Sequence, residues 1–501
     1  MNLPKLAKTP HPAESAPRRA LVGAAVLGLL VYSLAFQGSR GIWEPDEGRY
    51  TDIACQMLRS GDYLVPAFND EVPHFAKPPL TYWAIAASLA LFGYHEWSAR
   101  LPNTVAFVVT VLVVFLLARR LQLPRPWVAP LSYATSLLPY LAANVITTDT
   151  LLTLFESLGV LAFLHSWQGR DRAARRGPLF AMWAAFGLAF LTKGPPALLP
   201  LVAIAAWVAL TSGWRAVARL FCPGGVAVFA LVGLGWYLLV ALANPGLMSY
   251  FLRNEVVARL ASGAHHRNPQ WYGAVIVYGP TLLIGTLPWT WVLLRRLPTL
   301  RRTLGSRQWW KATSVDNPPK VFLALWVLLP LTVFAVSSSR LPLYVLPLFV
   351  PLSLTVGMLV GERPLGRRWA LLAALAAVLL LGLRLAASRY ETDRDARALA
   401  RALLAAGANH PREVLFVNAQ PIWGLALYFP GSEIEEVAVG PGGRHDPTSE
   451  PLVTELGEHH GAFHLLFEPR WRSAVEAEIS RHHRTVRELG RVQRWELLVV
   501  E

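Results

Sequence analysis

Charged side chains are scarce in this chain of 501 residues, where Asp, Glu, Lys and Arg make up 16% and hydrophobic residues make up 54%. Soluble globular proteins contain about 25% charged residues, so this composition argues against a water-soluble enzyme. Intrinsic disorder is excluded as well, because the chain contains 19 Trp, 21 Phe and 14 Tyr and has a mean hydropathy of +0.37. The composition predicts a polytopic α-helical membrane protein.

The chain also has few cysteines, and nucleotide-binding motifs are missing from its sequence. The two cysteines, Cys55 and Cys222, fall in segments that we expect on opposite faces of the membrane, so no disulfide framework is predicted. The sequence has no phosphate-binding glycine loop, no dinucleotide fingerprint and no nucleophile elbow. Nucleotide-driven transport therefore finds no support in the sequence.

Apolar runs long enough, or nearly so, to cross a hydrocarbon core of about 30 Å define the membrane part. The predicted spans are 21–37, 103–118, 127–143, 150–166, 178–192, 196–211, 221–242, 273–294, 320–337, 342–360 and 369–386. Because several of these eleven runs are short, we expect about 11 to 13 spans. The first run follows basic residues and lacks a small-residue cleavage site, which predicts a retained signal anchor.

The net charge of +15 is concentrated in alternate gaps between these runs, for example in Arg119, Arg120 and Arg125. This alternation is the positive-inside pattern of cytoplasmic loops, and it explains the basic composition without a nucleic-acid partner. The apolar segment 79–93 breaks the alternation, so we expect an interfacial or re-entrant helix there. The first loop, 38–102, is then an outer loop.

Residues 387–501 differ in composition from the membrane region 1–386, and we expect them outside as well. Strand-like runs at 414–418, 426–429 and 463–467 alternate with helical patterns at 393–406 and 471–489. A segment of this length is large enough for a small domain. We therefore predict a C-terminal extracytoplasmic α/β domain.

Paired acids in the outer loop are candidate catalytic groups. Pro45-Asp46-Glu47 is typical of a plain capped helix start, but the loop is rich in Trp, Tyr, Pro and acids, as functional loops often are. Asp149 lies between two spans at the same predicted face, and it too could simply cap a helix. Two carboxylates that converge on one face suggest a general base and a partner that orients it.

Cations and histidines gather on that face. They are Lys77, Lys193, Arg253, Arg259, His265, His266, Arg267 and Arg340. Arg and Lys bind phosphate through charge-assisted hydrogen bonds, although some of these side chains could equally reach lipid headgroups. The spacing of His265 and His266 with Glu255 matches no zinc pattern, and Glu255 with Arg259 fits a helical ion pair. No cofactor is predicted, and a divalent metal has only weak support.

Several segments resemble the bacterial aminoarabinose transferase family. They are WEPDEGRY (43–50), HFAKPPLTYW (74–83), TTDTLLTLF (147–155), GLAFLTKGPPALLP (187–200) and SSSRLPLYVLPLFVPL (337–352). Members of this family are GT-C fold glycosyltransferases that use polyprenyl-phosphate sugars and are related to protein O-mannosyltransferases. The resemblance implies a GT-C membrane region followed by an extracytoplasmic α/β domain.

The resemblance also implies roles for individual residues. Asp46 matches the catalytic acid of the family and Asp149 matches its second acid. The positions that match groups near the donor phosphate are Lys77, Arg267, Arg340 and Tyr344, with Arg340 where the family usually has Lys. Supporting roles are expected for Glu47, Arg49, Lys193, Arg253, Arg259, His265 and His266. Ala76 departs from the family, which often has Glu there, and this weakens the expectation of a metal and of aminoarabinose as the sugar.

These expectations give one main function and several alternatives. An inner-membrane enzyme moves a sugar from a polyprenyl-phosphate donor to an envelope glycan at the periplasmic face, with aminoarabinose and lipid A as the implied pair. Asp46 acts as base in an inverting single displacement. The same chemistry with another sugar or with a protein or polysaccharide acceptor stays open, as do a lipid-linked-sugar flippase and a catalytically silent subunit.

Overall fold

The computed structural model describes residues 16–69, 73–169, 172–251, 267–296, 306–361, 367–440, 449–458 and 461–501. Up to residue 387 the described chain is almost entirely helical. Its α-helices are α1 (Ala16–Leu34), α2 (Asp46–Ser60), α3 (Leu80–Phe92), α4 (Glu96–Arg120), α5 (Val128–Ala134), α6 (Leu137–Ala142), α7 (Thr148–Trp167), α8 (Arg172–Lys193), α9 (Leu199–Ser212), α10 (Trp214–Ala218), α11 (Pro223–Phe229), α12 (Gly235–Ala243), α13 (Leu247–Tyr250), α14 (Gly273–Gly285), α15 (Thr290–Leu294), α16 (Arg307–Asp316), α17 (Pro318–Val336), α18 (Phe349–Gly361) and α19 (Arg367–Ala387). Pro195–Leu198 and Pro342–Leu348 are 3-10 turns, and Ala230–Leu234 is a π-helical turn.

Seven helices in the described ranges are long and apolar enough to cross a membrane. They are Glu96–Arg120, Thr148–Trp167, Pro195–Ser212, Pro223–Ala243, Pro318–Val336, Pro342–Val360 and Trp369–Ala387. Each coincides with one of the predicted spans, and the prediction of a polytopic helical membrane protein is confirmed.

The other four predicted spans have a different form. Run 21–37 contains the shorter apolar helix Gly23–Leu34, and 178–192 lies within α8, whose first turns are rich in Arg. Runs 127–143 and 273–294 are each broken into two short helices, α5 with α6 and α14 with α15. The total of eleven spans therefore stays a prediction, as does the interfacial position of α3.

The outer loop folds around α2 and α3. Helix α2 begins directly after Pro45 and ends at Gly61, whose φ of 73° lets its N–H bond back to the Met57 carbonyl. Helix α3 packs against it, and the Tyr50 and Tyr82 ring centroids are 5.4 Å apart. The two helices of the loop thus pack together as one layer.

The C-terminal domain is built on a six-stranded sheet with the order β3-β2-β1-β4-β6-β5. The strands are β1 (Glu413–Val417), β2 (Glu433–Ala438), β3 (Glu450–Pro451), β4 (Phe463–Phe467), β5 (Val486–Val492) and β6 (Trp495–Val500), and the helices are α20 (Ala396–Ala405), α21 (Leu452–Glu458) and α22 (Arg472–Arg481). Strands β1 to β4 pair in parallel, whereas β6 pairs antiparallel with β4 and β5. The predicted α/β character is confirmed.

Two local predictions in this domain are wrong. The run 426–429 is not a strand, because Trp423–Leu427 forms a 3-10 turn whose apolar side chains pack into the core beside Ile42 and Ile53. The helical pattern 471–489 ends at Arg481 with α22, and its last residues begin strand β5. Short apolar runs do not distinguish these conformations by periodicity alone.

The domain docks tightly on the outer loop. Arg397 donates hydrogen bonds to the Glu96 carboxylate at 2.6 Å and to the Gly38 carbonyl at 2.6 Å. The Tyr428 hydroxyl donates to Glu96 at 2.9 Å. Residues from both units, including Ile53 of α2 and Phe416 of β1, belong to one apolar cluster. The sheet is therefore held directly above the outer loop that carries the candidate acids.

Candidate active site

Glu47 fixes the position of the loop that carries Asp46. Its buried carboxylate accepts two hydrogen bonds from Arg40 at 2.5 and 3.0 Å and two from Arg100, both at 2.9 Å. The backbone N–H groups of Trp43 and Ile146 add two more, each at 3.1 Å. We call Arg40, Glu47 and Arg100 the junction, because they tie together the start of the outer loop, helix α4 and the segment before α7.

The electrostatics of the junction agree with this geometry. Burial alone would raise the pKa of Glu47, but the guanidinium groups of Arg100 and Arg40 outweigh burial and hold that pKa well below its usual range. Arg100 is fully buried and also donates to the carbonyls of Gln37 and Gly41 at 2.9 and 2.6 Å. Glu47 therefore has a structural role, whereas the sequence suggested only a supporting one.

Asp46 faces the other way from its neighbour Glu47. It is the first residue of α2 and forms an ion pair with Arg49 one turn further along. The side chain of Asp46 is 48% exposed, in contrast to the buried Glu47. Asp46 is thus open to a molecule that approaches the outer loop.

Asp149 lies in the first turn of α7 and is buried. It forms an ion pair with Lys193, the last residue of α8. The Lys193 ammonium lies 4.4 Å from the centre of the Tyr344 ring, which is within the range of a cation–π interaction. The structure therefore brings together three residues that the sequence singled out separately: Asp149, Lys193 and Tyr344.

Tyr50 connects Asp46 with Asp149. Its hydroxyl is hydrogen-bonded to the side chain of Thr148, the residue before Asp149. Burial raises the pKa of Tyr50, and the negative charges of Asp46 and Asp149 raise it further. Both carboxylates are therefore close enough to act on one hydroxyl. No motif in the sequence marks Tyr50, although its position four residues after Asp46 places it on the same helix face.

Lys77 lies at the Arg49 side of this site. Both cations act on His74, whose pKa falls to about 3 because of burial first and then because of the Arg49 and Lys77 charges. The His74 ring also packs against Phe68, with ring centroids 4.8 Å apart. Lys77 itself is half-buried, and its charge, like that of Arg49, acts on the His74 ring.

Arg340 is turned towards backbone carbonyls. Its guanidinium donates to Asn268 at 2.6 Å, to Gln270 at 2.9 Å and to Ala335 at 2.9 Å. Its backbone N–H donates to the Arg267 carbonyl at 2.9 Å. Arg340 thus braces the segment that presents the exposed Arg267, a structural role that the sequence did not indicate. The phosphate contacts of both residues stay predictions.

Four of the predicted supporting residues, Arg253, Arg259, His265 and His266, lie outside the described residues. In the described ranges, the carboxylate oxygens of Glu413, Glu435 and Glu455 are within 4.8 Å of one another and could hold a metal ion. That group lies in the C-terminal domain and not beside the outer loop. We assign no metal to it.

Comparison with known proteins gives a consistent family. The profile described as dolichyl-phosphate-mannose-protein mannosyltransferase matches residues 76–251. A relative from Edwardsiella ictaluri, named undecaprenyl phosphate-alpha-4-amino-4-deoxy-L-arabinose arabinosyl transferase, is 35% identical over 68% of this chain and 60% of its own length. A relative of the same name from Pseudomonas aeruginosa strain LESB58 is 33% identical over 90% of this chain and 81% of its own length.

Solved structures agree on the fold. ArnT from Cupriavidus metallidurans, solved bound to undecaprenyl phosphate, matches with a TM-score of 0.75 over 97% of this chain and 98% of that one, at 22% identity. Its apo state matches with a TM-score of 0.74 at 21% identity. The predicted GT-C fold is thereby confirmed. The long alignment with the Pseudomonas protein shows that the chain belongs to the undecaprenyl phosphate-alpha-4-amino-4-deoxy-L-arabinose arabinosyl transferase family of membrane glycosyltransferases.

Proposed function

We propose that the protein transfers a sugar, 4-amino-4-deoxy-L-arabinose, from undecaprenyl phosphate to lipid A at the periplasmic face of the inner membrane. The observation that carries this proposal is the convergence of Asp46 and Asp149 on Tyr50, with Lys193 and Lys77 beside them. Carboxylates and phosphate-suited cations meet there at the outer ends of α7 and α8. The names of the relatives supply the donor and the sugar.

The cations receive the phosphate of the donor. Lys77, Arg267 and Lys193 supply positive charge, and the Tyr344 hydroxyl supplies a hydrogen-bond donor. As the bond between the anomeric carbon and the phosphate oxygen breaks, negative charge grows on that phosphate. Fixed positive groups stabilise this charge more strongly in the transition state than before it. The lipid phosphate is the leaving group, so no nucleotide is needed.

The acids act on the acceptor. Asp46 is half-exposed and forms an ion pair with Arg49, so it can accept a proton from an acceptor oxygen or orient that oxygen for attack. Asp149 is buried against Lys193 and positions the ammonium and Tyr50. The acceptor oxygen attacks the anomeric carbon opposite to the departing phosphate, which inverts its configuration.

The test is mass spectrometry of lipid A from a strain that lacks its own transferase and carries the wild type, Asp46→Asn or Asp393→Asn. Asp393 is an exposed acid after α19 and serves as the matched control. We expect a pentosamine on lipid A with the wild type and the control, and none with Asp46→Asn at equal protein level.

Other outcomes separate the alternatives. A different sugar, or the same sugar on another glycan, would keep the chemistry and replace the substrate, an alternative that Ala76 leaves open. Unchanged lipids and glycans in all strains would contradict transferase activity and would favour the lipid-linked-sugar flippase instead. A full pentosamine signal with Asp46→Asn would remove Asp46 from the mechanism.

A further inference from the structure

Glu156 is a carboxyl group inside span α7 that the proposed mechanism does not use. Its side chain is 3% exposed, and among the residues that the structure describes it has no hydrogen bond or ion pair. An ionisable group within a membrane span is costly, so its presence there points to a function and to a nearby partner. The question is which charge it faces.

Glu156 lies on the same face of α7 as Asp149. Their separation of seven residues corresponds to nearly two helical turns and a rise of about 10 Å. The charges of Lys193 and Asp149 both act on Glu156. Lys193 therefore interacts with two carboxyl groups. It forms an ion pair with Asp149 at the outer end of α7, and its charge also acts on Glu156, which lies deeper in the span.

Lys193 and Asp149 are the charges that act on Glu156 within the described ranges of the chain. Glu156 lines a cavity of about 10 Å³ together with apolar residues, which include Leu199 of α9 and Trp326 and Phe334 of α17. This volume is close to the minimum for one water molecule. Asp149 lies on the same helix as Glu156, and Lys193 lies at the end of α8 with its ammonium over the Tyr344 ring.

We propose that Glu156 is a positioning residue that sets how strongly Lys193 attracts the phosphate of the polyprenyl-phosphate donor and product. The inference rests on the proposed function. With Glu156 protonated, the charges of Asp149 and Lys193 cancel. When Glu156 ionises, one extra negative charge lies behind Lys193 and opposes the phosphate. Two unit charges about 10 Å apart interact by about 1.7 kcal/mol at an effective dielectric constant of about 20. Repulsion of this size between the Glu156 carboxylate and the phosphate lowers the affinity on the order of tenfold.

The test is the affinity of the purified full-length protein for undecaprenyl phosphate, measured from acid to mildly alkaline pH. Wild type, Glu156→Gln and Ser157→Ala are compared, where Ser157 is the adjacent buried residue of α7 and serves as control. At acid pH we expect equal affinities. At alkaline pH Glu156→Gln should bind about tenfold more tightly than wild type, and Ser157→Ala should follow the wild type.

Because every variant meets the same lipid at each pH, the titration of the lipid phosphate cancels in the ratio of affinities. A ratio that is constant with pH would overturn the role of Glu156 and leave the proposed function intact. A wild type that does not bind undecaprenyl phosphate would overturn both. If Glu156→Gln does not fold, Glu156→Asp replaces it: this variant must retain the pH dependence of the wild type, and its loss would contradict the inference.

Discussion

Asp46 and Glu47 are adjacent acids with opposite surroundings. Glu47 is buried in the junction and accepts six hydrogen bonds from Arg40, Arg100 and two backbone N–H groups. Asp46 forms an ion pair with Arg49, and its side chain is 48% exposed. Consecutive helical residues point in directions about 100° apart, so one face of α2 fixes the loop and the next presents the Asp46 carboxylate. The hydrogen bonds that hold the loop thus belong to a different face from the proposed base.

The largest effect is expected from a substitution that breaks the junction. Glu47→Gln leaves two buried guanidinium groups without their counter-charge, which should lower the free energy of unfolding by about 3–5 kcal/mol. The measurement is thermal unfolding of the purified protein in detergent, followed by tryptophan fluorescence. Glu476→Gln, on the exposed face of α22, should unfold like the wild type. Equal unfolding temperatures for all three proteins would show that the junction does not hold the loop.

The next effect separates chemistry from folding. Asp46→Asn should lower turnover by about 10²–10⁴-fold, the usual contribution of a general base, and should leave the unfolding temperature unchanged. The measurement is the initial rate of sugar transfer at saturating donor, together with a melting curve. If Asp46→Asn destabilised the protein as much as Glu47→Gln does, Asp46 would hold the loop in place as Glu47 does, and the two acids would not have different roles.

A pH-dependent effect concerns Glu44, between the outer loop and the C-terminal domain. Burial raises its pKa to about 8, and its carboxylate accepts a hydrogen bond from the Gly424 N–H at 2.7 Å. The folded state therefore holds a proton that the unfolded state releases near pH 4.5. Stability is highest below that pH and falls as pH rises to about 8, by at most about 1.4 kcal/mol per pH unit.

Glu44→Gln tests this sign, since glutamine cannot ionise. Thermal unfolding of the variant should depend less on pH between about 4.5 and 8 than that of the wild type. The two proteins should therefore differ most at the alkaline end, where the variant is the more stable one. Parallel pH curves would show that Glu44 does not couple domain docking to pH.

The smallest effect is expected from a substitution of Tyr50, the residue between Asp46 and Asp149. Tyr50→Phe removes the hydroxyl that bonds Thr148 but keeps the ring beside Tyr82. One hydrogen bond is worth about 1 kcal/mol, so turnover should fall about fivefold with little change in stability. Tyr63→Phe, whose side chain is 45% exposed, is the control. Wild-type turnover in Tyr50→Phe would show that the hydroxyl does not couple Asp46 to Asp149.

The sequence predicted the membrane region, the α/β domain and the presence of Asp46, Asp149, Lys77 and Lys193 near one face, because local motifs and charge alternation carry that information. It could not predict the junction, since Arg100 follows Glu47 by 53 residues and no local pattern links them. The backbone contacts of Arg340 were hidden for the same reason. Their partners, such as Asn268, lie 72 residues away, and a guanidinium looks the same in a sequence whether it binds a phosphate or a carbonyl.

The apolar cluster shared by α2, α3 and the C-terminal sheet has a consequence for how the chain can be divided. The change in composition near residue 387 separates two parts of the sequence, but Ile53 and Phe416 are buried in a single core. A chain cut after residue 386 would expose apolar surface on the outer loop around Asp46 and would lose the Arg397 contacts to Glu96 and Gly38. The C-terminal sheet therefore completes the apolar core against which the loop that carries Asp46 is packed.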